Sequence, residues 1–120
     1  MNPWVACLLE RIEGIRRSLE RAMARFGNDA LTAEIATLIE NLNSLGRSKA
    51  ACAAYVPSWA DSVAYMLELV VERLLRIATV VHRRDCQAAE VLFRAATDLH
   101  GLVRECAEVW NQRLLTKGAA

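Results

Sequence analysis

The chain has 120 residues, 54% of them hydrophobic, with only 5 glycines and 2 prolines; this suits one domain and excludes a low-complexity tail. Its 15 basic and 14 acidic residues leave a net charge of +1, which argues against a nucleic-acid-binding tract built on clustered cations. No apolar run reaches the ~18 uncharged residues of a membrane span, and no cationic stretch precedes the apolar residues 3–9 as in a secretory signal. A cytoplasmic location without membrane attachment is the expectation.

The chain opens with Asn2-Pro3, a capping residue followed by a proline where a helix tolerates one. Val5, Leu8, Ile12, Ile15, Leu19, Ala22 and Phe26 then recur in steps of three and four, which predicts a first helix over about 3–26. Gly27 suits its C-terminal stop, and Asp29 can cap a second helix over about 29–55. That helix carries Leu31, Ile35, Leu38, Leu42 and Leu45 as its seam. Gly46 either breaks it or is crossed at a cost of about 1 kcal/mol relative to alanine. The alanines after Lys49 favour a continuous or kinked helix that Pro57 ends.

A third helix is expected over about 58–84, with Ser58 as cap and Val63, Leu67, Val70, Leu74, Ile77 and Val81 as main seam. It is the most apolar helix, with polar residues confined to a narrow line through Asp61, Glu68, Glu72, Arg76, Thr79 and Arg83. Leu69, Val71, Leu75, Ala78 and Val80 lie outside the main seam and are candidates for an interface. Asp85 starts a fourth helix over about 86–116, whose seam is Leu92, Ala96, Leu99, Val103, Cys106, Trp110 and Leu114. Gly101, in mid-helix, is expected to permit close approach of a neighbouring helix.

Short connections force antiparallel neighbours, so the expected fold is all-α: an antiparallel up-down-up-down four-helix bundle in one domain, residues 1–120. That topology gathers Trp4, Tyr55, Trp59 and Trp110 at one end, either plugging the bundle against small alanines or forming a docking patch or ligand pocket. It also brings Cys7 and Cys52 to similar heights, where a disulfide is conceivable only if their side chains meet. Otherwise Cys7, Cys52, Cys86 and Cys106 read as buried small hydrophobes.

No Cys-x-x-Cys, Glu-x-x-His, His-Glu-x-x-His, phosphate-binding glycine loop or Gly-x-Ser-x-Gly occurs, so no metal, cofactor or catalytic group is expected. His82 and His100 should stand on the order of 20 Å apart along the bundle, too far to share a metal. His100, in mid-helix, superficially resembles the phosphoacceptor of histidine phosphotransfer domains, although Leu102, Val103 and Arg104 replace the lysine and small residue those domains carry. Arg76 and His82, as Arg-x5-His, resemble the motif of HEPN-type helical ribonucleases, a resemblance that implies a pair acting across a dimer.

Arg16, Arg17, Arg21 and Arg25, interleaved with Glu13 and Glu20, read as a solvated, charge-compensated face, or else a site for an acidic partner. The reading these features favour is a non-catalytic interaction or regulatory protein. It is expected to self-associate through helix 3, a dimer being the first guess, with a further protein partner as a second option. The alternative is a ribonuclease or phosphotransfer protein using His82 or His100.

Overall fold

The structure, a computed structural model, describes residues 2–25, 30–47 and 56–119, with side chains described at all of these except 46, 47 and 113–119. Within them lie four helices and no strand: α1 (Pro3–Met23), α2 (Ala30–Arg47), α3 (Val56–Val81) and α4 (Cys86–Ala119). The expected all-α four-helix bundle is what the chain forms.

Each helix arises where the three-four spacing of apolar residues is strongest. On α1, Val5, Leu8, Ile12, Ile15, Leu19 and Ala22 are all buried. Its start is fixed by Asn2, whose Oδ1 accepts hydrogen bonds from the N–H groups of Trp4 (2.8 Å) and Val5 (3.3 Å), with Pro3 inside the first turn. On α2, Ile35, Leu38, Ile39, Leu42 and Leu45 are buried, and the helix runs through position 46 to Arg47. Phe26, Cys52, Tyr55 and the expected extension of this helix to 55 lie outside the described residues.

The third helix begins two residues earlier than expected. Pro57 sits in its first turn, where N–H groups have no intrahelical acceptor in any case, so the proline starts this helix and Ser58 is not its cap. The helix ends at Val81, whose carbonyl accepts from the N–H groups of Arg84 and Asp85, both at 2.8 Å. Residues 82–84 form the turn. Asp85 then caps α4, its Oδ1 accepting from Ala88 N–H at 3.0 Å.

Two ion pairs give α1 and α4 opposite directions. Arg11 bonds Glu105 at 2.6 Å and Arg25 bonds Asp85 at 3.1 Å, so rising numbers on one helix meet falling numbers on the other. Trp4 and Trp59 bring the starts of α1 and α3 to the same end, with ring centroids 6.4 Å apart and planes at 89°. The α3–α4 hairpin is the most extensive interface, α1 packs on α2 and α4, and α2 packs more sparsely on α3. The molecule measures 55 × 23 × 19 Å, its long dimension matching the 34-residue α4 at about 1.5 Å per residue.

The seams converge in a single apolar cluster, and among the described residues no polar or charged side chain is buried. The fold is therefore held by packing, with charge confined to helix ends and surfaces. Asp85 illustrates the second role. Its carboxyl is held below the usual carboxylate range, first by Ala88 N–H and then by the Arg25 guanidinium. A depressed folded-state pKa contributes stability above the ordinary value, near pH ~4, that is lost as pH falls through the lower folded value. Asp85→Asn keeps the capping oxygen and removes the charge. Its melting temperature should therefore fall less steeply than wild type below about pH 4, as followed by circular dichroism.

Candidate functional site

The outer face of α3 carries what the core does not absorb. Val63, Leu67, Val70, Leu74, Ile77 and Val81 point into the bundle at 4% exposure or less. On the opposite half stand Tyr65 (68% exposed), Leu69 (46%), Leu75 (43%) and Val80 (54%). These are the exposed large hydrophobic side chains among the described residues, and all belong to this one helix. At roughly 100° per residue, Leu69 and Val80 fall to one side of the polar line, Leu75 and Val71 to the other. Val71 is half-buried and packs partly against the core.

Ala78 is a correction. It is fully buried, because the tightly packed α3–α4 hairpin covers the flank on which it lies, so it belongs to the core and not to an exposed interface. Tyr65, which the sequence reading passed over, belongs in its place as the most exposed large apolar group. Its spacing of four from Leu69 is the signal that could have found it. Tyr65 also edges a shallow depression of about 540 Å³ shared with Asp61, Glu68, Val103 and Ala107.

The charges on this face are unpaired. Asp61, Glu68, Glu72, Arg73, Arg76 and Arg83 form no ion pair among the described residues, although Glu72 and Arg76 have the four-residue spacing that often pairs on a helix. On α1, by contrast, Arg16 is held by Glu13 on one side and Glu20 (2.5 Å) on the other, and Arg17 approaches Glu13 at 3.6 Å. The Arg16 guanidinium holds the Glu13 carboxyl below its usual range. Arg25 is taken up by Asp85 and Gln87. The α1 arginines are thus largely charge-compensated, as a solvated face requires.

A groove of about 920 Å³ runs between α1 and α4, lined among others by Arg11 and Arg25, which also pair with Glu105 and Asp85. Gly14 and Gly101 line it from either side, and a Cβ at either position would meet nothing within 4 Å. Gly101 therefore does not permit a close helix contact. It faces open space, and with Gly14 opposite it leaves a gap that no side chain fills.

At the tryptophan-rich end, Trp59 is buried, Trp4 and Trp110 are half-buried, and Tyr55 lies outside the described residues. The edge-to-face Trp4–Trp59 pair packs against the core. The cysteines divide. Cys106 is buried, and burial pushes its thiol up to about 12, leaving it protonated and inert. Cys7 and Cys86 are exposed free thiols, contrary to the expectation that all four are buried, because both lie off the seams.

His82 sits in the α3–α4 turn with Nε2 3.9 Å from Cys86 Sγ. His100 is exposed on α4. Neither joins a group of three or more His, Cys, Asp or Glu that could hold a metal, among the described residues. No helix described is long and apolar enough to cross a membrane. Comparison with known proteins finds no matching family model, curated protein or solved structure.

Proposed function

We propose that this is a non-catalytic helical-bundle protein that acts by association, and that the outer face of α3 is its contact surface, used for self-association. The observation that carries this reading is the confinement of Tyr65, Leu69, Leu75 and Val80 to one helix face. Scattered surface leucines need no explanation, but a concentration of large apolar groups on one face marks a place that gains by being covered. The phosphotransfer alternative lacks comparable support, since His100 is exposed and makes no hydrogen bond or ion pair among the described residues.

Sedimentation velocity at micromolar concentration tests the proposal. The expected result is a species larger than the 13.4 kDa monomer. Leu75→Glu places a charge on the apolar flank and should return the protein to monomer with its helix content intact. Glu72→Ala removes a charge from the polar line and should leave association in place. A monomer throughout the concentration range would overturn the proposal.

A further inference from the structure

The order of charges along α3 assigns the partner's direction. Acidic residues occupy the first part of its outer face (Asp61, Glu68, Glu72) and basic residues the second (Arg73, Arg76), without interleaving, and Arg83 follows in the turn just beyond its end. All six are exposed, and none has an ion-pair partner among the described residues. The acidic half presents an unmet demand for cations and the basic half for anions. The one surface on the page that meets both is this same face reversed.

We infer that α3 pairs with α3 of a second copy in antiparallel orientation, about a two-fold axis passing close to Glu72. This rests on the reading that α3 is the contact surface. In such an isologous pair each contact occurs twice, related by the axis. Glu68 of one copy comes beside Arg76 of the other, and Asp61 comes level with the turn that carries Arg83. The same register brings Leu69 and Leu75 of the two copies to one level and sets Tyr65 level with Thr79 and Val80. The charged line then lies between two apolar flanks.

Glu72, at the axis, meets its own copy, and Arg73, one residue from the axis, comes level with its own; the other charges lie away from their like. Parallel pairing would set every charge of the helix against itself: Asp61, Glu68 and Glu72 against acids, Arg73 and Arg76 against bases. Like charges directly opposed disfavour a pairing, whereas complementary ones steer encounter and fix register. Individually these exposed pairs are weak, so they choose the direction while the apolar flanks hold the copies together. The two-fold also closes the assembly, because each copy uses its α3 face completely and leaves none for a third.

The test is a charge-exchange cycle read by sedimentation of the full chain at low ionic strength. In antiparallel pairing, Glu68→Arg alone faces Arg76 with an arginine, twice per dimer, and Arg76→Glu alone faces Glu68 with a glutamate. Each should weaken dimerisation at least about tenfold. The double variant Glu68→Arg/Arg76→Glu restores complementarity in both places and should dimerise like wild type. In parallel pairing neither change creates an opposition absent from wild type, so the singles and the double would all resemble it. A wild-type dimer that Leu75→Glu dissociates, but that gives this flat series or no recovery in the double variant, overturns the antiparallel register alone. A wild-type monomer, or a dimer indifferent to Leu75→Glu, overturns the α3 surface itself.

Discussion

Replacing Ala78 with glutamate is expected to unfold the bundle, whereas the same replacement at Leu75, one turn earlier on the same helix, leaves it folded. Ala78 is fully buried, and its surroundings are apolar: no charged side chain is buried among the described residues. A glutamate there brings about four further heavy atoms of side chain into a filled space, which typically costs about 1–3 kcal/mol in overpacking. Its carboxylate also loses water without gaining a cation, for several kcal/mol more, or takes up a proton at a comparable cost. Domains of this size have about 5–15 kcal/mol of stability in all. Leu75 is 43% exposed, so a glutamate there reaches water by rotating outward. Far-ultraviolet circular dichroism distinguishes the two: the Ala78 variant should lose its helical signal and cooperative melt, and the Leu75 variant should keep both. Equal helicity in the two variants would mean that Ala78 is not in the core.

The same pair of positions shows how far the sequence could be read. The buried seams follow from three-four spacing, because a helix turns a periodic pattern directly into a face. The caps at Asn2 and Asp85 were legible for a similar reason, since each acts on N–H groups two or three residues away. Ala78 was not legible. Its helical angle places it at the edge of the apolar stripe, and whether that edge is covered depends on how closely α4 approaches, which no local pattern encodes.

Pro57 presents a related ambiguity. A proline is compatible with the end of one helix or the first turn of the next, and the start of α3 at Val56 decides for the second. Gly101 was read as a contact point, yet a glycine on each of two facing helices removes both side chains and leaves a groove. The exposed cysteines belong here as well. Cys7 and Cys86 are small enough for a core but sit off the seams, and their position outweighs their residue type.

Adjacent leucines on α3 provide the sharpest measure of core against surface. Leu74→Ala should destabilise the protein by about 2–5 kcal/mol, because Leu74 is fully buried between the helices and its loss leaves a cavity that the surrounding side chains only partly fill. In urea the midpoint should drop with an unchanged slope, since the surface exposed on unfolding hardly alters. Leu75→Ala should cost the isolated chain under about 0.5 kcal/mol, as an exposed position away from any cap or ion pair. The two differ again once protein concentration is varied. Association favours the folded state by mass action, so wild-type stability should rise with concentration. Leu74→Ala lowers the whole curve but preserves that rise, because its side chain points away from the second copy. Leu75→Ala trims the contact surface, so its deficit should grow as concentration increases and the wild type dimerises. A Leu75 deficit that stays constant over a hundredfold range of total concentration above the dimer Kd, about 1.4 kcal/mol of mass-action leverage per chain, would show that Leu75 faces only solvent.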